Sequence, residues 1–363
     1  MATHIMVTRS PLGRIADRIA LWFLSWVFVW IIALNMGLKS RERMSHNNGI
    51  AARGKFTADP DPAVPLHQFF TKGKSYPCRI RHASATFYDD AMQCIRSFSF
   101  KLSDEDWNSP FDLELNTGSI SLFWNVASFM KLASLRQQKW GVEYENYYKE
   151  YPVGKEAAID NLRRNPSTFA NLVYHNQTPL QWNTGEGFVG YAKYRVVPFE
   201  EIEESGLITG RDVLEPQNQR VIPGETRSRN YLKEEYADRV ARQGPVRYKL
   251  QVQTRRAEAG EDPVIFNSSV TWPEDEFPFL DLGIFEIDET LGWDESNMTT
   301  FSFANLPEGL GIIPAYSIYD FNSLNYMRLK ADLAKKARRF AYEIFGMPKE
   351  IPDSDNRNSS TII

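Results

Sequence analysis

The stretch "RMSHNNGIAARGKF", Arg43 to Phe56, places a histidine three residues after an arginine and follows it with two glycines. It begins five residues beyond a long apolar run, "IALWFLSWVFVWIIALNMGL", Ile19 to Leu38, which carries no charge between Arg18 and Lys39. At about 1.5 Å per residue, a helix of that length matches a hydrocarbon core of about 30 Å. Three readings follow: a spanning helix, a monotopic docking helix, or a cleaved signal peptide, the last weakened because no small-x-small cleavage site follows. Arginines at 9, 14 and 18 precede the run and Lys39, Arg41 and Arg43 follow it, so the charge asymmetry that would set orientation nearly cancels. Trp22, Trp26 and Trp30 lie four apart on one helical face, as a lipid or packing stripe would.

Composition excludes several classes. With 363 residues and 42% apolar content, the chain is long enough for one large domain or two small ones and is neither disordered nor fibrous. The formal net charge of −4 at pH 7 is spread along the chain, so no basic face points to nucleic acid. Cys78 and Cys94 are too few for a disulfide framework or a cysteine zinc site, and two buried free thiols are expected. Sequons at Asn176, Asn267, Asn297 and Asn358 are short patterns that do not establish lumenal exposure.

Beyond a Gly- and Pro-punctuated approach, Asn47 to Pro65, "YPCRIRHASATF", "IRSFSFKLS" and "FDLELNTGSISLFW" read as antiparallel strands. "GKEAAIDNLRRN" reads as a helix ending at Asn165 before Pro166, with "STFANLVYH" resuming helix behind it. "FVGYAKYRVVPF" and "VRYKLQVQTRRA" return to period two, with Tyr248, Leu250 and Val252 on one side of the second strand. A final long helix is predicted over Ser323–Phe345, followed by a disordered tail. The pattern implies an α+β protein built on a large antiparallel sheet or barrel.

Short motifs give little. "GEGFVG", Gly185 to Gly190, fits G-x-G-x-x-G but follows a polar turn and feeds a strand, so it reads as a hairpin turn and not a dinucleotide site. No G-x-S-x-G, P-loop, H-E-x-x-H or cysteine metal spacing occurs. His4, His67, His82 and His175 read as surface or satisfied core residues.

"RMSHNNGIAARGKF" does, however, resemble the distal-side segment of haem catalases, and more closely that of the catalase-related allene oxide synthases, which act on fatty-acid hydroperoxides. That family has an arginine three residues before the distal histidine and glycines at the third and eighth positions after it, as Arg43, His46, Gly49 and Gly54 do here. The likeness continues in order through "HQFFTKGKSYPCRIRHASATFYDDA", "RSFSFKLSD", "DLELNTGSISLFW", "NLRRNPSTFANLVY", "NYLKEEYADRV", "GPVRYKLQVQ" and "DFNSLNYMRLKAD". It implies a catalase-like antiparallel β-barrel with surrounding helices, which the apolar run would precede as one N-terminal transmembrane helix. The implied division is an N-terminal tail at 1–18, a transmembrane or docking helix at 19–38, a catalase-like domain at 39–349 and a disordered tail at 350–363. The long wrapping region and flavodoxin-like domain of larger catalases are not expected.

The resemblance also implies roles and a cofactor, haem b. His46 would be the distal base and Asn116 a fixed amide donor to the bound peroxide. Arg43 and Arg81 would pair with the haem propionates, and Arg328 would belong to the proximal helix. The family holds its iron by a tyrosinate four residues after an arginine; Arg328 plus four is Asp332, which would put a carboxylate or water on the metal. Ser45 stands before His46, where true catalases carry valine, and its hydroxyl can bond the imidazole and damp its basicity. The implied protein is a single-pass membrane oxidoreductase, isomerase or peroxidase for an apolar, lipid hydroperoxide. A homodimer is allowed by the family, no nucleic acid is involved, and a haem-free scaffold is the alternative that Asp332 raises.

Overall fold

The computed structural model describes residues 10–348 apart from 36, 38–40, 44, 86–88, 137–147, 209–220 and 222–223. Its strands are β1 (Asn48–Ala58), β2 (Ser75–Ser84), β3 (Cys94–Lys101), β4 (Asp112–Thr117), β5 (Leu162–Arg163), β6 (Tyr174–Asn183), β7 (Val189–Pro198), β8 (Val246–Arg256), β9 (Leu280–Thr290) and β10 (Leu310–Gly311). The helices are α1 (Pro11–Leu34), α2 (Val126–Arg136), α3 (Pro152–Asn161), α4 (Tyr231–Gln243), α5 (Trp293–Met298), α6 (Ser323–Lys330) and α7 (Asp332–Phe345). Eight strands run in the order β6-β4-β3-β2-β1-β9-β8-β7, and pairing of β6 with β7 closes them into an antiparallel barrel. The α+β architecture with a closed antiparallel barrel that the sequence predicts is therefore present.

Alternation explains the closure. Along each strand one set of side chains fills the barrel: Phe56, Ile80, Phe98, Leu115, Tyr248 and Phe285 are fully or almost fully buried in one core cluster. His82 sits among them, its ring between the hydroxyls of Tyr248 and Tyr174 at 3.0 and 3.1 Å, and burial pushes its pKa down to about 3, so it remains a neutral core residue. The other set, of opposite parity, faces outward toward the helices.

Several boundaries depart from the sequence reading. β1 occupies the segment read as an irregular approach. α3 stops at Asn161, whose side chain bonds the carbonyls of Ile120 and Ala157, and "STFANLVYH" does not resume the helix but leads into β6. β4 ends at Thr117 because Gly118 turns the chain with φ +87°. The final helix is two: Arg328 closes α6 against Ala331, and α7 starts anew at Asp332. α1 begins at Pro11, where Ser10 Oγ accepts from the Gly13 N–H at 3.2 Å, earlier than Ile19. By length and composition it is a helix able to cross a bilayer. "GEGFVG" is the hairpin between β6 and β7, and both cysteines are buried and free. Asn176, Asn267 and Asn297 are buried, so these three sequons are closed to glycosylation in the folded chain. Residues 1–9, 349 and the expected tail at 350–363 lie outside the described residues.

Candidate functional site

The outer face of β1–β4 carries an unusual row. Register aligns Gly49 with Ala83, Ala83 with Ser97, and Ser97 with Asn116; the next row aligns Ala51, Arg81, Ser99 and Glu114. Cross-strand partners share a face, so five small residues form a floor, with Asn116, Arg81 and Glu114 rising from it. The floor is close-packed at Gly49, where an added Cβ would lie 2.3 Å from His82 O, 2.7 Å from Ala83 Cβ and 2.9 Å from the Arg81 guanidinium carbon. Gly54, the second glycine of the stretch, is fixed by a different contact: its Cβ would meet Glu286 O of β9 at 2.0 Å, beside a register shift in the β1–β9 pairing.

His46 stands just before β1 with a left-handed backbone, φ +61°, a conformation that costs a non-glycine residue about 1–3 kcal/mol. Three bonds hold it there. Its N–H donates to Ala85 O at 2.9 Å, its carbonyl accepts from Arg81 Nη1 at 2.8 Å, and its Nδ1 meets Ser45 Oγ at 2.8 Å. The imidazole Nε2 is thereby directed to Asn116 Oδ1, 3.3 Å away. The structure thus brings together His46, Asn116 and Arg81, which are far apart in sequence.

Arg43 is half-buried and donates from Nη2 to the carbonyls of Ser296, Asn297 and Thr299, the last at 2.6 Å, at the end of α5. Arg338 of α7 reaches the same Asn297 carbonyl at 3.4 Å. Burial, and then the repulsion of Arg338 and Arg81, lowers the Arg43 pKa well below its ordinary value, while Tyr342 and Glu114 oppose that shift. Arg81 is lowered to about 9 by burial and by Arg338, again with Tyr342 opposing. Three guanidinium groups therefore crowd one buried place where Tyr342 is also felt. Arg43 Nε, Arg81 Nε, Arg338 Nε and Tyr342 Oη are buried, and no hydrogen-bond partner for them occurs among the described residues. Buried polar atoms without partners are rare, and a concentration of them beside excess positive charge marks a place built for an anionic, hydrogen-bonding group.

Arg338 and Tyr342 are i and i+4 on α7, with the guanidinium 5.6 Å from the ring centre, and the fully buried Arg338 is bracketed by buried Ala334 and Ala341. This pair has the arginine-plus-four spacing that the resemblance places at Arg328 and Asp332. The sequence signal was "RRFAY", Arg338 to Tyr342, ten residues further on. Asp332 is engaged elsewhere: its Oδ2 accepts from Ser302 Oγ at 2.5 Å and its Oδ1 lies 3.8 Å from Lys335 Nζ. Arg328 lies over the Phe303 ring at 5.1 Å and donates to Asn325 Oδ1 at 3.3 Å; burial lowers its pKa and Glu114 opposes. Burial opposes ionisation of Glu114, but Lys335, Arg328 and His46 hold it below its ordinary range. Glu114 was not singled out from sequence. Among the described residues no group of three metal-ligating His, Cys, Asp or Glu side chains occurs.

A floor of small side chains, a cluster of guanidinium groups, an imidazole–amide pair and the Arg–Tyr pair of α7 are chemically suited to a flat group that carries carboxylates. No family model matches the chain. Over 312 residues it is 34% identical to an allene oxide synthase-lipoxygenase protein of Plexaura homomalla, an alignment covering 83% of this chain and 28% of that protein. It is 29% identical over 304 residues to a linolenate 9R-lipoxygenase of Nostoc sp., covering 79% of this chain and 37% of the relative. The chain thus spans well under half the length of either relative. Among solved structures, catalase A from Saccharomyces cerevisiae superposes with a TM-score of 0.60 at 14% identity, over 88% of this chain and 68% of that one. A bacterial catalase gives 0.59 at 16%, over 86% and 64%. At such identities the structural likeness establishes the fold.

Proposed function

Because the chain belongs to the catalase-related family, we propose that it is a haem enzyme that rearranges or cleaves an organic hydroperoxide, most readily that of a fatty acid. The observation that carries this reading is the small-residue floor of β1–β4 facing Arg338 and Tyr342, with buried polar atoms left unpartnered between them. Haem b would lie there, held by its propionates at Arg43 and Arg81 and by its iron at the Tyr342 oxygen. We propose Tyr342 for the position assigned to Asp332 from sequence, because Asp332 already serves Ser302 and Lys335. Arg338, one turn earlier, supplies the positive charge that keeps a phenolate stable. The haem-free scaffold reading rests on a missing tyrosine, and a haem ligand at Tyr342 would remove that ground.

Ferric haem, when bound, supplies the redox and Lewis-acid chemistry that opens the O–O bond. The chain's own residues handle the proton and the alignment. For His46 to receive the hydroperoxide proton at Nε2, its Nδ1–H must donate to Ser45 Oγ; the imidazolium then returns that proton to the departing oxygen, and with a second proton given up by the substrate's own carbon chain that oxygen leaves as water, so no outside reductant is needed. The Asn116 amide, rotated from His46, donates to that oxygen as charge grows on it. The apolar α1 supports placement of the enzyme at a membrane, where a lipid hydroperoxide concentrates.

The test is turnover of a fatty-acid hydroperoxide by the full chain purified in detergent. His46→Ala should lower kcat by about 100-fold or more while haem stoichiometry is unchanged. Retained turnover in that variant would remove His46 from the chemistry.

A further inference from the structure

α1 is covered on one side only. Its buried residues, Leu21, Ser25, Val29 and Ala33, follow at intervals of four. Leu21 packs with Leu324 and Met327 of α6, Ala33 with Ala334 of α7, and an added Cβ on Gly37 would stand 3.7 Å from Ala337 Cβ. α1 therefore runs parallel to α6 and α7 and lies along them. From Ile19 to Leu34 the only polar side chain is Ser25, which is on the covered side. Trp22, Phe23, Trp30, Ile31 and Leu34 are each more than half exposed, a surface far from the polar outer face of a water-borne helix. On α7, Phe340, Ile344 and Phe345 are exposed as well, and Arg41 Nη1 ties the segment after α1 to that end of α7 by bonds of 2.6 and 2.8 Å to the Phe345 and Gly346 carbonyls.

We propose that α1 and the end of α7 form one docking face that rests in a single leaflet of a lipid bilayer, with α1 in the membrane plane and not across it. The proposal rests on the membrane reading of α1 and adds its orientation. Charge decides between the two geometries. Lys330 Nζ sits 6.0 Å from the Trp26 ring and 3.2 Å from the Tyr326 ring, and Lys336 is exposed on α7. If α1 crossed the bilayer while packed as it is, these ammonium groups would be carried into hydrocarbon, where charge is costly. In the plane, only the apolar outer face is immersed, and the lysines lie at head-group depth. Arg14 and Arg18 are exposed at the start of α1, with Arg18 stacked 4.5 Å over the exposed Tyr316, the pairing of cation and aromatic found at the bilayer interface. These cations complement an anionic lipid surface. Docking would then bring α7, the helix with Arg338 and Tyr342 on its inner side, directly against the membrane.

The experiment uses full-length variants with one added surface cysteine, Leu12→Cys, Leu34→Cys or Ile344→Cys, labelled there with an NBD fluorophore; the native cysteines are buried and do not compete. Each protein, its folding checked by circular dichroism, is diluted from detergent onto preformed phosphatidylcholine–phosphatidylserine vesicles. The expected result is co-flotation, blue-shifted labels at 34 and 344, and complete reduction of all three labels by dithionite added outside. Ile344→Glu should weaken flotation at least tenfold. Flotation with label 12 or label 34 protected, or with label 344 in water, would overturn the in-plane geometry and leave the membrane reading standing. Absence of flotation would overturn both, and a stable dimer without vesicle binding would give the face to a second copy instead.

Discussion

His46 is held in a backbone conformation that favours glycine, and the bonds that hold it are those that aim its ring. Ala85 and Arg81 fix its peptide groups and Ser45 engages its Nδ1, so the cost of the strained φ is offset by a ring with one permitted direction. Ser45 can either accept from Nδ1–H or donate to Nδ1, and only the first leaves Nε2 able to take a proton. Ser45→Ala removes that choice of tautomer. The lower, basic-group limb of the kcat/KM profile against pH should move by about half a unit or more, with haem content unchanged. A profile that superposes on that of the unchanged protein would show that Ser45 does not govern the base. His46, Ser45, Asn116, Arg43 and Arg81 could be proposed from the sequence because the resemblance places each of them within a short motif. Tyr342 was not, because two arginines, Arg328 and Arg338, compete for one short pattern, and only burial beside Arg43 and Arg81 separates them.

Among the elements, β1 is the one that sequence patterning concealed. Its two glycines and two basic residues obscure the alternation of a strand, yet both glycines are required by backbone from neighbouring strands. The two contacts differ in consequence. Gly49→Ala presses on the His82 carbonyl, the Ala83 side chain and the Arg81 guanidinium, and should destabilise the protein by about 1–3 kcal/mol and also reduce haem retention. Gly54→Ala presses on the backbone of β9 and should lower thermal stability while leaving haem per folded molecule unchanged. Equal haem loss in both variants, or none in Gly49→Ala, would mean that the floor of β1–β4 does not face the macrocycle. The division of the last helix was also hidden, since no Gly or Pro interrupts "SLNYMRLKADLAKK"; a tertiary bond from Ser302 to Asp332 accompanies the new start of α7. "STFANLVYH" misled in the opposite way, its helical spacing giving way to burial of Leu172 and Tyr174 in the barrel.

At the scale of the molecule, the barrel has a closed aromatic interior and a chemically loaded exterior. Alternating strands were legible, and the resemblance along the chain supplied the barrel; the packing of α1 against α6 and α7 was not legible, because an apolar run looks the same whether lipid or protein covers it. The account as a whole depends on the outer floor of β1–β4 and the inner side of α7 enclosing an iron porphyrin, with the phenol of Tyr342 as its protein ligand. Absorption and electron paramagnetic resonance spectra of the purified full chain, Tyr342→Phe and Asp332→Ala test this most directly. The prediction is a stoichiometric Soret band with a high-spin ferric signal in the unchanged protein, identical spectra for Asp332→Ala, and loss of haem or an altered ferric signal for Tyr342→Phe. A colourless folded protein, or spectra that change with Asp332→Ala and not with Tyr342→Phe, would contradict it.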